Sequence, residues 1–287
     1  SHLDNVQEGD IVTLFGQDGD ETITVDELTR WANTINKFAE KYPEISVNAL
    51  LVPKNCAFNP PAGYTDPYDR TKAHIDATYG MLNSGIKAAD IFGVMSEHRD
   101  EYLFYRTDHH WTNAGAYLAY TAFCKSDGIE AKPMETFGVQ QVSDSFLGTI
   151  YSKTLDGAAA PEAIFAPQAL PQVTVTFDGG NTADSVYAPE FLEKKDQYAY
   201  FFGGNWGRVD IDTGVDNGKS IVIIKDSFAN SFVPYLLGEY AHITMLDLRY
   251  FAGNVQQTVA DTGADEVLFL YEMTNLLTDT GILKLAR

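Results

Sequence analysis

The chain has 287 residues, of which 45% are hydrophobic and 21% charged. A chain of that size and apolar content buries about 75% of its unfolded surface, which excludes intrinsic disorder. Forty acidic residues against 20 basic ones give a formal net charge of −20. That balance excludes nucleic acid as a partner, and it disfavours anionic lipid and strongly polyanionic substrates unless a local basic patch exists; none stands out in the sequence.

No run of 18 or more apolar residues is present, so no segment reads as a membrane-spanning helix. The chain opens at Ser1-His2-Leu3 without a Met, and a leader removed from the N-terminus is the expectation. Cys56 and Cys124 are the two cysteines. They make no disulfide framework and show no zinc spacing, leaving one bridge or two buried thiols open.

In chain order, residues 25–42 carry apolar side chains at helical spacing and stop at Pro43, which predicts a helix. Residues 46–53 form an apolar run ended by Pro53 and read as a buried strand. Residues 55–66, rich in Pro and Asn, read as a loop. Residues 67–84 look helical, and 89–94 look like a short strand. Thr112 is placed to cap a helix over 113–126, which Gly128 stops. From about 130 to 200 the helical period is lost. Strand-like pieces at 173–177 and 198–202 alternate with Gly, Pro and Asp, so a β-rich excursion within a single domain of residues 1–287 is expected. In the last third, strand 220–224, helix 232–240, strand 242–248, helix 254–262 and strand 265–272 alternate. That alternation predicts an α/β fold with a parallel sheet covered on both faces.

Two stretches carry candidate chemistry. Lys225-Asp226-Ser227-Phe228 follows strand 220–224, at the strand end where ligands bind in open α/β sheets. A Ser there can project its hydroxyl into a cleft while its own N–H faces the same spot. Taken alone, the segment reads more simply as a helix cap, and it lacks the G-x-S-x-G elbow. The second stretch is Thr107-Asp108-His109-His110-Trp111-Thr112. A nucleophilic Ser needs a base, and the base needs an acceptor that fixes its tautomer. Asp108 and His110, two apart in an extended or turn segment, lie on one side of the backbone. The carboxylate can then reach one imidazole nitrogen while the other points at Ser227. The alternatives are a turn residue beside surface or packing histidines, or a metal held by Asp108, His109 and His110. The metal reading is weak because adjacent residues rarely converge on one ion. His2, His74, His98 and His242 stand alone and read as structural.

The run Tyr105-Arg-Thr-Asp-His-His-Trp-Thr112, with Gly115 after it and Asp226-Ser227-Phe228 downstream, resembles the DHHW family of bacterial proteins. These in turn resemble the SGNH-hydrolase-like proteins of alginate O-acetylation. The resemblance extends through Phe146-Leu-Gly-Thr-Ile-Tyr-Ser-Lys153, Phe201-Phe-Gly-Gly-Asn205 and Asp247-Leu-Arg-Tyr-Phe251. It implies an SGNH-hydrolase-like (flavodoxin-like) fold, with Asp108 as orienter, His110 as base and Ser227 as nucleophile. His109 falls at a variable position. The order is permuted, since ordinary SGNH hydrolases keep Ser first.

Two departures stand out. Lys225 occupies the place of a motif Gly, where it would crowd the turn or add positive charge. No oxyanion Asn aligns unambiguously; Gly204-Asn205 is the best candidate to join the Ser227 N–H, against a plain Asn-containing turn. Arg106, Trp111, Lys225, Tyr271 and Glu272 are candidates to line the substrate cleft. Ser152-Lys153, read as strand neighbours pointing to opposite faces, makes a poor dyad.

The reading that follows is an acyl, above all O-acetyl, transferase or esterase acting on an extracellular or cell-wall polysaccharide. It needs a glycan acceptor and an acyl donor and no cofactor. The resemblance adds an extracytoplasmic location, secreted or membrane-anchored, and a membrane acyl-transporting partner. Two alternatives are a non-catalytic carbohydrate-binding scaffold, motivated by Lys225, and a metal-dependent hydrolase using His109 and His110.

Overall fold

The computed structural model describes residues 17–18, 21–22, 25–60 and 67–286. Its main strands are β1 (Ser46–Val52), β2 (Lys87–Ala89), β3 (Gln140–Phe146), β4 (Glu162–Ala166), β5 (Thr174–Phe177), β6 (Thr182–Ala183), β7 (Arg208–Asp212), β8 (Ser220–Lys225), β9 (His242–Leu246) and β10 (Glu266–Glu272). The α-helices are α1 (Val25–Lys41), α2 (Asn55–Phe58), α3 (Pro67–Gly80), α4 (Ile91–Glu97), α5 (Asn113–Asp127), α6 (Thr149–Thr154), α7 (Ala229–Phe232), α8 (Val255–Thr262) and α9 (Met273–Thr278).

Eight strands form the central sheet in the order β2-β1-β10-β8-β9-β7-β5-β6. The first five are parallel to one another, as the alternation of strands and helices predicts. The sheet is not parallel throughout, however. β7 runs antiparallel to β9, β5 to β7 and β6 to β5. The link 213–219 between β7 and β8 is too short for the crossover of a dozen or more residues that same-direction strands need.

Period-2 patterning sorts the strand side chains onto two cores. In β8, Ile221 and Ile223 face one core while Val222 and Ile224 face the other. In β10, Leu268 and Leu270 share the first, and Val267, Phe269 and Tyr271 the second. Helix α5 covers the first face with Ala116, Ala119, Tyr120 and Phe123. Helix α1 covers the second with Leu28, Trp31, Ile35 and Phe38, spaced at 3.6-residue periodicity. Both faces are therefore buried, and the parallel strands read as continuous apolar runs. Gly128 ends α5 as expected, with φ 75, a left-handed conformation that favours glycine.

Several sequence expectations are corrected. The apolar run at 89–94 is helical from Ile91, because the Asp90 side chain accepts the Gly93 N–H at 2.8 Å and starts α4. The run 198–202 is not a strand. Residues Gln197–Tyr200 form a 3-10 turn, and the Tyr198 ring lies flat on His110. The helix expected over 232–240 is a short turn at 229–232 followed by a 3-10 turn at Val233–Leu236, where Pro234 supplies no N–H to an α-helical bond. The helix expected to 84 ends at Gly80. Part of the loop expected at 55–66 is helix α2, and residues 61–66 and His2 lie outside the described residues. The β-rich excursion divides: β3 and β4 make a separate antiparallel pair, whereas β5 and β6 extend the main sheet. Ser152 and Lys153 sit on helix α6, not on a strand. Both cysteines are free thiols.

Candidate active site

The carboxyl ends of β1, β8 and β10 deliver Asn55, Ser227 and Glu272 to one edge of the sheet. Beyond β8, the buried Asp226 acts as a clamp. Its Oδ1 accepts the Phe228 N–H at 2.9 Å, and its Oδ2 accepts Glu272 N–H at 2.7 Å and Asn275 Nδ2 at 2.8 Å. The capping role foreseen for this segment thus falls to Asp226, which leaves the Ser227 hydroxyl for another partner. Ser227 Oγ lies 2.7 Å from His110 Nε2. The Ser227 N–H has no acceptor among the described residues.

His110 Nδ1 lies 2.5 Å from Asp108 Oδ1, which also accepts the His110 backbone N–H at 2.9 Å. Asp108 Oδ2 accepts the Thr149 N–H at 2.7 Å and the Thr149 hydroxyl at 2.9 Å. Burial pushes the Asp108 carboxyl up, but His110, His109 and the Thr149 hydrogen bond together hold it well below the usual carboxylate range. All three residues of the relay are buried. The imidazole of His110 stacks on Tyr198, with ring centroids 3.8 Å apart and planes 8° apart. Tyr198 is tied in turn to Ser231, which accepts the Trp111 indole N–H.

The loop that carries Asp108 and His110 hangs on a residue that sequence reading missed. The buried Glu162 carboxylate accepts the Arg106 N–H at 2.8 Å, the Thr107 N–H at 2.7 Å, the Thr107 hydroxyl and the Tyr102 hydroxyl. Thr149 and Tyr198 were missed as well. No local pattern assigns Thr149 or Tyr198 a role.

A cleft of about 490 Å3 opens beside the relay, lined by His109 and Phe228, the sequence neighbours of His110 and Ser227, and by Lys54, Lys153 and Glu272. Two lysines thus meet at the site of a strongly acidic protein, a local grouping that the sequence does not reveal. Burial pushes the Glu272 carboxyl up to about 7, against the opposing charge of Lys54. Burial likewise lowers the His109 imidazole to about 4, with His110 acting in the same direction. Arg106 is exposed over the Tyr102 ring and faces an adjoining cavity of about 420 Å3, which shares Asn55 and Asn59 with the cleft. Among the expected lining residues, Glu272 reaches the cleft and Arg106 reaches its neighbour. Trp111, Lys225 and Tyr271 do not: each is at most 1% exposed. Tyr271 points into the core beneath Trp31, because the alternation along β10 turns it to the opposite face from Leu270.

Of the two expected oxyanion residues, Gly204 has its N–H engaged by Phe201 O at 3.2 Å. Asn205 is exposed, and its Oδ1 accepts Asn230 Nδ2 at 3.1 Å. Asp108, His109 and His110 bring possible ligand atoms within 4.8 Å of one another. Yet both His110 ring nitrogens and both Asp108 oxygens already have hydrogen-bond partners. A cation would have to displace Ser227 or Thr149, so this donor set fits a proton relay better than a metal centre.

Comparison with known proteins supplies further context. The family model described as DHHW protein matches residues 66–246. Over the fold, the chain is similar to a DHHW family protein from Eubacterium siraeum, with TM-score 0.77 and 24% identity, covering 95% of this chain and 90% of that one. It is similar to Bacillus cereus PatB1 carrying a sulfonyl adduct, with TM-score 0.73, 20% identity and 90% coverage of each chain. It is also similar to the O-acetyltransferase domain of Pseudomonas putida AlgJ, with TM-score 0.51 and 12% identity, covering 88% and 84%. At these identities the likenesses show a shared fold. No curated protein matches the sequence significantly.

Proposed function

The chain belongs to the DHHW family, and from that premise we propose that it is an acyl-transfer enzyme whose nucleophile is Ser227. The observation that carries the reading is the continuous line Ser227 Oγ–His110 Nε2, His110 Nδ1–Asp108 Oδ1 at 2.7 and 2.5 Å, buried at the carboxyl end of a parallel strand. Ser227 Oγ attacks the acyl carbonyl and passes its proton to His110, and Asp108 stabilises the imidazolium. The carbonyl oxygen gathers negative charge beside the Ser227 N–H and the Asn205 side-chain amide, the two donors in this reading. Collapse expels the donor alcohol, which takes the proton from His110. A second hydroxyl then enters, gives its proton to His110 and takes the acyl group, and the released Ser227 oxygen takes that proton back from His110. If that hydroxyl belongs to a sugar the enzyme is a transferase, and if to water an esterase.

The fold shared with an O-acetyltransferase domain supports acetyl as the group and transfer as the outcome. The acceptor in this reading is a carbohydrate, an extracellular or cell-wall polysaccharide. An extracytoplasmic location and a membrane acyl-transporting partner belong to the same reading. No helix among the described residues is long and apolar enough to cross a membrane. The scaffold alternative was motivated by Lys225, which is buried with its ammonium turned to Asn230 and Asp247.

The test is hydrolysis of p-nitrophenyl acetate by the wild type beside Ser227→Ala and His110→Ala. Loss of a triad member lowers kcat by roughly 10⁴-fold or more. A sulfonyl fluoride should add one sulfonyl group to the wild type and none to Ser227→Ala, read by intact mass. Equal turnover by all three proteins defeats the proposal.

A further inference from the structure

Lys225 is a buried ionisable group that this reaction leaves unused. It ends β8 two residues before Ser227 and is 1% exposed. The charged groups around it are Asp247, 3.9 Å away beyond the end of β9, Arg249, which pairs with that same Asp247, and the adjacent Asp226. Its hydrogen bond runs not to a carboxylate but to Asn230 Oδ1, at 2.6 Å. Asn230, on the first turn after Ser227, extends Nδ2 to Asn205 Oδ1 at 3.1 Å and toward Gly204 O at 3.5 Å.

The direction of each bond in this chain follows from chemistry. An ammonium has three donors and no acceptor, so Asn230 must turn its oxygen to Lys225 and its N–H2 group to the 204–205 loop. Asn205 must then turn its oxygen to Asn230, which leaves its own N–H2 group on the exposed side. The orientation of an Asn amide is normally interchangeable; here a buried charge removes the choice at two successive residues. Burial pushes the Lys225 ammonium down to about 8, with Asp247 opposing, so at neutral pH it stays mostly charged and a donor only.

We propose that Lys225 is a positioning residue that acts through Asn230 to hold the Asn205 side-chain amide with its N–H2 group outward, as an oxyanion donor beside Ser227. The proposal rests on the acyl-transfer reading above. It gives the Lys that replaces a motif Gly a definite task, carried out from behind the turn and without contact with substrate.

The experiment is a double-mutant cycle on p-nitrophenyl acetate hydrolysis, using Lys225→Met, Asn205→Ala and the double variant, with Asn230→Ala as a second way to cut the chain. Removing an oxyanion donor lowers kcat by about 10²-fold or more. Each single variant should therefore lose about that much in kcat with KM within about twofold. The double variant should be no worse than the worse single, because the residues act as one unit. A Lys225→Met kcat within twofold of the wild type overturns the proposal, as does a double variant whose loss is the product of the singles. Should Lys225→Met fail to fold, Asn230→Ala takes its place in the cycle under the same criteria. An independent reading comes from the Asn205 side-chain amide signal in nitrogen-15 spectra, which should shift on Lys225→Met and overturns the proposal if it does not. Ser227→Ala runs alongside. If it hydrolyses the ester as fast as the wild type, the acyl-transfer reading fails by itself, and the amide spectrum decides the positioning chain.

Discussion

Gly148→Ala tests how tightly the site is built around Asp108. Gly148 has φ −84 and ψ −159, an extended conformation that Ala adopts without backbone strain, so the effect should come from its methyl group alone. A Cβ there would stand 2.2 Å from Asp108 Cβ and 2.4 Å from Asp108 Oδ2. Ordinary van der Waals contact begins near 3.4 Å, so Asp108 or the 148–149 backbone must give by about 1 Å. Either motion stretches the two Thr149 bonds to Oδ2 and swings the carboxylate that orients His110. A 1 Å misplacement costs about 10²-fold in rate, and complete loss of the orienter about 10⁴-fold. We therefore expect kcat for p-nitrophenyl acetate to fall by 10²- to 10⁴-fold with KM nearly unchanged. Overpacking of this kind costs about 1–3 kcal/mol, to be read by urea unfolding. A variant that unfolds like the wild type and keeps a kcat within threefold of it would show that Asp108 is not pinned by the 148–149 turn.

Asp108→Asn should lower kcat by about 10⁴-fold, through the wrong His110 tautomer, and leave KM in place; a loss below tenfold contradicts the orienter role. Glu162→Gln sets an N–H2 group against donors from Tyr102, Arg106 and Thr107, and urea unfolding should show a loss of about 3 kcal/mol, with kcat falling as the 106–110 loop loosens. Glu272 has its carboxyl raised from 4.5 to about 7 in the folded chain, so the folded state holds the proton over a range where the unfolded state has released it. Its contribution to stability is present in full below about pH 4.5 and is lost as pH rises through about 7. Glu272→Gln should flatten that decline between pH 5 and pH 8 in urea titrations; an unchanged slope refutes the assignment.

The 3.6-residue stripe of α1 and the apolar runs of β8 and β10 were legible because each is a local pattern, set by which face must leave water. The same patterns misled where a single local bond outweighed them. Asp90 turned an apolar run into helix α4, and Tyr198 spent its alternating segment on packing against His110. The direction of β7 and β5 was not legible, because it follows from the short 213–219 link and from the neighbours those strands find.

At the site, local sequence carries the residue types and their order: an Asp and a His two apart, followed far downstream by a Ser at a strand end. Spacing of two places a carboxylate and an imidazole on one side of an extended or turn segment, as at 107–111 here. The meeting of His110 with Ser227, 117 positions away, was decided only when the strand order set β8 beside the loop before α5. The same holds for Glu162, Thr149 and Lys225. Each reaches its place across the fold or from a buried strand end, and its role lies in a hydrogen bond to a neighbour that no local pattern names. Side-chain direction within an element is a short-range property of the backbone, whereas partners between elements are chosen by how the sheet is assembled.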